Sequence, residues 1–200
     1  MKCEQCGENI GIGGRRGRTP RFCSSACRQK AYRSRKAGIN STSKSLVEVF
    51  PEPMASVTNW VRADGKRPIC VDGTPASTTS PTTWSPLHEV LSSTVGDGFG
   101  IMLGNGAGIA CHVLSNALDG DGVLVDWAVK VLVGIESPLF VEVSQNRRGL
   151  HVFVKSDERP GARRIMPGGG RHEFYSKGRF IRTTGEDFHL TRFADMRNRQ

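Results

Sequence analysis

The sequence predicts an α+β protein, and three observations carry that prediction. Short apolar runs separated by glycine-rich turns recur from Phe99 onward, as strands do. One segment, Val123 to Ile135, places Leu124, Trp127, Ala128, Val131 and Leu132 at helical spacing. A basic, cysteine-rich segment stands apart at the N-terminus. Strands and helices are mixed and hairpin signals are prominent, which favours α+β over a layered α/β fold.

Residues 1–37 read as a small module, residues 38–55 as a linker with Ser41-Thr42-Ser43-Lys44-Ser45 and Pro51-Glu52-Pro53, and residues 56–195 as one domain. Within that domain, 74–86 is crowded with Thr, Ser and Pro and reads as an ordered loop, and Leu87 to Ser93 as a short helix. Phe99 to Leu103 and Ile109 to Leu114 flank Gly104-Asn105-Gly106-Ala107-Gly108, a hairpin signal. A strand follows this glycine run, so it is not a dinucleotide loop. Asp119-Gly120-Asp121-Gly122 supplies a turn before the helical segment. Phe140 to Ser144, Leu150 to Lys155, Glu173 to Tyr175 and Phe180 to Thr183 complete the expected strands, and the three tryptophans, Trp60, Trp84 and Trp127, are expected in the core.

The 200-residue chain has a net charge of +9, and residues 1–40 carry ten Lys or Arg against only Glu4 and Glu8. Nearly all the excess sits in the first module, which suggests phosphate binding there and another task for the domain behind it. No apolar run is long enough to span a bilayer and no signal-peptide core opens the chain, so a cytoplasmic, non-membrane protein is expected. In that compartment the six cysteines are ligands or buried thiols rather than disulfides.

Cys3-x2-Cys6 and Cys23-x3-Cys27, sixteen residues apart, form two tight pairs that suit one tetrahedral zinc ion. Ser24 is a fair N-cap for a helix from about Ser25 to Lys36, and a segment this short needs a metal to fold. That helix carries Arg28, Lys30, Arg33, Arg35 and Lys36 with Tyr32 among them, the mix that backbone contacts and base stacking require. A solvated basic face or an acidic protein partner are the other readings. Cys70 and Cys111 are left over as ordinary core residues.

An ordered series then follows: Lys66-Arg67-Pro68-Ile69, Gly73-Thr74-Pro75-Ala76-Ser77-Thr78, Trp84-Ser85, the strand 108–115, Glu142-Val143-Ser144 with Gly149-Leu150-His151, and Glu173-Phe174-Tyr175 with Gly178-Arg179-Phe180 and Thr184-Gly185. In order and spacing, residues 56–187 resemble the primase-polymerase (prim-pol) domains of the archaeo-eukaryotic primase superfamily, as found in phages and plasmids. The resemblance implies an RRM-like core and metal-assisted attack of a 3′ hydroxyl on a nucleotide's α-phosphate, with converging acids holding Mg²⁺ or Mn²⁺. It implies that Ser144 and His151 hold the triphosphate, that Glu173 ligates the metal, that Arg179 contacts phosphate and that Lys66 and Arg67 line a nucleic-acid groove. The partners implied are single-stranded or primed DNA and nucleoside triphosphates, in a bacterial host cytoplasm if the protein is phage-encoded. The chain ends soon after this domain without a helicase segment, so any unwinding partner is expected to be separate.

One motif departs from the family. The strand that should carry two acids has Val113 and Ser115 instead, neither an adequate ligand. Asp119 and Asp121, or His112, are the available substitutes, although strand alternation puts His112 on the opposite face. Two functions are therefore expected of the sequence: a primase/polymerase with weak or absent synthesis, or an inactive primase-like fold that binds single-stranded nucleic acid or a replisome partner. A rolling-circle nuclease lacks its second histidine and a helical tyrosine.

Overall fold

Residue alternation on the strand Ile109–Ser115 organises the larger unit of the molecule. Ile109 and Cys111 face one apolar layer, whereas Ala110 and Leu114 face another. The computed structural model describes residues 2–3, 5–6, 8–10, 21–29 and 49–188. The chain divides into two compact units, Met1–Lys44 and Ser45–Gln200.

In the second unit the elements run α1 (Glu52–Ala55), β1 (Trp60–Asp64), β2 (Arg67–Ile69), α2 (Leu87–Ser92), β3 (Gly98–Leu103), β4 (Ile109–Ser115), α3 (Asp126–Val133), β5 (Phe140–Val143), β6 (Leu150–Lys155), β7 (Ala162–Met166), β8 (Gly170–Tyr175) and β9 (Arg179–Thr183). They build a four-stranded sheet, β2-β1-β3-β9, and a five-stranded sheet, β5-β6-β4-β8-β7. Every pairing is antiparallel. The mixed α+β class is as the sequence predicts.

One layer of side chains is shared by both sheets: Trp60, Ile101 and Ile181 from the first meet Cys111, Phe140 and Phe153 from the second. The opposite face of the five-stranded sheet is covered by α3, whose Trp127, Ala128 and Leu132 pack on Leu114, Leu150, Val152 and Phe174. That helix starts at Asp126 rather than Val123, with Val125 at its N-cap and no side-chain cap from Asp119. Its carboxylate instead accepts the backbone N–H groups of Asp121 and Val123, both at 2.9 Å, and closes a turn.

Two expectations are corrected. The glycine-rich segment 104–108 does not close a hairpin: β3 pairs with β1 and β9, while β4 pairs with β6 and β8. Gly104, Asn105, Gly106 and Gly108 all have positive φ (118°, 56°, 71° and 65°), and the chain uses that freedom to cross from one sheet to the other. The stretch 38–55 is also not all linker. Phe50 and Met54 are buried in the shared layer, and the Phe50 ring lies 4.8 Å from that of Trp60 and 5.2 Å from that of Phe140. The Trp60 indole N–H donates to the Met54 carbonyl at 2.9 Å.

Trp60 and Trp127 are core residues as expected; Trp84 is half-buried, its indole donating to the Ser77 carbonyl at 2.7 Å. Cys111 is buried and Cys70 half-buried. No helix among the described residues is long and apolar enough to cross a membrane.

Candidate functional site

Strand register sets five residues side by side across the whole of the five-stranded sheet. Glu142 on β5 pairs with His151 on β6, His151 with Val113 on β4, Val113 with Glu173 on β8, and Glu173 with Arg163 on β7. Directly paired residues project to the same face of a sheet. The row therefore brings together three positions far apart in sequence, Val113, His151 and Glu173, that the sequence singled out.

At one end of the row Glu142 is wholly buried, yet none of its acceptors is idle. Its Oε1 lies 2.8 Å from His151 Nδ1, and its Oε2 accepts the backbone N–H groups of Thr184 and Gly185, each at 3.0 Å. Three donors suit a carboxylate, which can only accept, so Nδ1 carries the proton and Nε2 keeps its lone pair. The Thr184 hydroxyl donates to the Val143 carbonyl at 2.7 Å and ties the 184–185 segment to β5.

Ser144 follows at the end of β5, where its hydroxyl donates to Asn146 Oδ1 at 3.0 Å. Gly149 lies against it, and a Cβ there would stand 2.5 Å from the Leu114 carbonyl oxygen and 3.0 Å from Ser144 Oγ. Only glycine allows this close approach, which sets the loop 144–149 tight beside the row. Arg147 is not available to grip a ligand as it stands, because its guanidinium makes a two-pronged contact with Glu186 at 2.6 and 2.8 Å.

At the other end Glu173 is already engaged. Tyr175 Oη donates to its Oε1 at 3.0 Å, and Arg163 Nε stands 3.8 Å from the same oxygen. Burial, with the bond to Glu173 behind it, pushes the Tyr175 phenol above its usual range. The Arg179 guanidinium lies 4.6 Å over the Tyr175 ring, so three of these side chains form one cluster. Arg171 shares the face, two residues from Glu173 and opposite Ser115. A divalent ion does not fit this donor set. Val113 offers no ligand, Ser115 offers a neutral hydroxyl opposite an arginine, and the single carboxylate faces a guanidinium.

Neither Asp119 nor His112 supplies a missing ligand. The Asp119 carboxylate is spent on its own turn. His112 projects to the α3 side of the sheet, its Nδ1 2.8 Å from His172 Nε2 and its ring 4.9 Å from that of Phe174. Burial, then the neighbouring His172 and Arg159, hold the His112 pKa down at about 4. Lys66 and Arg67 lie at the β1–β2 turn of the four-stranded sheet, where Arg67 Nη2 meets Asp64 Oδ2 at 2.7 Å on the surface.

Sequence reasoning did not single out Glu142, Tyr175, Arg163 or Arg171 as site residues. The signal for Glu142 was present, a lone acid inside the apolar run Phe140–Val143. The arginines gave none, because β7 is exposed at four of its five residues and lacks the alternation of a half-buried strand.

The first unit holds a second centre. The ligand atoms of Cys3, Cys6, Cys23 and Cys27 all lie within 4.8 Å of one another, a group that could hold a metal such as zinc. The Cys23 backbone N–H holds the Cys3 thiol down at about 6, whereas the sulfurs of Cys27 and Cys6 push Cys23 up to about 12. Four sulfurs this close cannot all ionise until a cation neutralises them. The Ser24 hydroxyl accepts the Cys27 backbone N–H at 3.2 Å, the expected cap, and residues 25–29 are helical. Arg28 is exposed on that turn; Lys30, Tyr32, Arg33, Arg35 and Lys36 lie outside the described residues. In comparisons with known proteins, no family model matches the chain and no curated protein matches its sequence.

Proposed function

We propose that the chain is a replication-associated primase/polymerase-like protein that binds nucleic acid and nucleotide, with its own nucleotidyl transfer weak or absent. The observation that carries this reading is the strand pairing of His151, Val113 and Glu173, three positions that the prim-pol resemblance assigns to one site. Four antiparallel strands, β5-β6-β4-β8, backed on one face by α3, also suit an RRM-like core. The His151–Glu142 couple fixes the orientation of the imidazole ring, as a phosphate-binding histidine needs. The four-cysteine unit with its basic flank would contact the template strand.

A second reading, an inactive primase-like fold that holds single-stranded nucleic acid or a replisome partner, is favoured by one contact. Glu173 faces Arg163 rather than a second acid.

The test is template-directed nucleotide incorporation with Mg²⁺ or Mn²⁺, on the natural chain and on Val113→Asp/Ser115→Asp. Extension by the double variant alone supports a prim-pol site that has lost its acids. Extension by the natural chain that Glu173→Ala leaves intact would place the chemistry elsewhere and end this reading of the row.

A further inference from the structure

Around Glu173 the face is built from cations where nucleotidyl transfer would need acids. Arg163 on β7, Arg171 on β8 and Arg179 on β9 surround one carboxylate, and all three side chains are exposed. Arg163 and Glu173 are direct cross-strand partners, and Arg171 is on the same side of β8 as Glu173. Arg179 reaches the cluster through the Tyr175 ring, and the Tyr175 hydroxyl donates to Glu173. Glu173 thus accepts from a phenol and faces a guanidinium, which spaces and orients the surrounding cations. Ser115, opposite Arg171, leaves that guanidinium without a carboxylate across the strand pair.

We propose that this face binds the triphosphate of a nucleotide directly on Arg163, Arg171 and Arg179, with no divalent ion between. The inference rests on the nucleotide-binding reading above and deepens it. Guanidinium groups meet phosphate oxygens with paired N–H donors and stay charged at any working pH, so they replace the ions as the source of positive charge. His151 stands two strands from Glu173 on the same row. The sign of the magnesium effect separates the two kinds of site. A carboxylate–metal site binds nucleotide better with Mg²⁺, whereas an arginine site binds the uncomplexed, more negative triphosphate at least as well.

The experiment is calorimetric titration of the full, zinc-loaded chain with dATP and with inorganic tripolyphosphate, in chelator-free buffer with and without Mg²⁺. The expected result is metal-free binding of both, no tighter when Mg²⁺ is added. Arg163→Ala and Arg171→Ala, both at exposed positions, should each weaken it about tenfold. Glu173→Gln, which removes a negative charge beside the phosphates and keeps an oxygen to accept from Tyr175, should tighten it. Binding that requires Mg²⁺ and is lost in Glu173→Gln would overturn the inference while leaving the nucleotide reading standing. Metal-free binding untouched by both arginine variants would put the anion elsewhere on the chain and overturn it as well. No binding under either condition would end the nucleotide reading itself, and this inference with it.

Discussion

His151 and Glu142 face each other across β6 and β5, the ring Nδ1 2.8 Å from a carboxylate that is wholly buried. A buried charge is tolerated only when its lone pairs are satisfied, and here the Thr184 and Gly185 backbone N–H groups complete the set. Glu142→Ala should therefore cost about 3–5 kcal/mol, since it strands those donors in the interior. Glu142→Gln, which keeps the shape and most acceptors, should cost about half as much. Urea unfolding of the two variants checks this, and equal costs would mean that the carboxylate's hydrogen bonds contribute little.

Phe50 anchors the segment ahead of β1 by filling the space between Trp60, Phe99 and Phe140. Phe50→Ala should destabilise the second unit by about 3–4 kcal/mol, the usual cost of removing a buried aromatic ring. A truncation that starts at residue 56 should lose a similar amount. Thermal melts of both are the measurement, and an unchanged midpoint in either would return this segment to the status of a linker.

The His112–His172 pair makes stability depend on pH. The His112 pKa is about 4 in the fold against an ordinary 6.5, and that of His172 is lowered too, by burial and then by Arg164. Below pH 6.5 the unfolded chain takes up protons that the folded chain refuses, so stability falls with pH until the folded pKa is passed. Discounted for partial exposure, the His112 contribution amounts to about 1–2 kcal/mol between pH 7 and 4. His112→Phe should flatten the profile over that window. The Asp97 and Asp72 carboxyls, both held low in the fold, lose their contributions only at more acid pH. Unfolding free energies at several pH values decide the matter, and parallel profiles for variant and parent would rule the pair out.

Zinc should bind at about one ion per chain, and Cys27→Ser should bring that close to zero. Because each ligand must lose a proton, the ion should be released as the pH falls. With metal in place a thiol reagent should find four fewer reactive cysteines than after its removal. Equal reactivity before and after removal would argue against a four-sulfur site.

The local signals were sufficient for some of this molecule. Spacing within one short segment revealed the four-cysteine group, because chelation by paired cysteines depends on few residues. Alternation told that His112 and Val113 point to opposite faces of β4, because a strand repeats every two residues wherever it lies. Which strands pair was beyond such reasoning. The segment 104–108 has hairpin composition, yet β3 and β4 go to different sheets, since each gains more by burying both faces among distant partners. β2, with Pro68 at its centre, and β7, with exposed arginines, carry no strand pattern and exist because a neighbour supplies the hydrogen-bonding edge. The same holds at the candidate site. The sequence could name Ser144, His151 and Glu173 through a resemblance and could see that Val113 and Ser115 are not acids. Only the register across five strands put Arg163 against Glu173 and Glu142 against His151, because residues separated by tens of positions become neighbours through tertiary pairing alone.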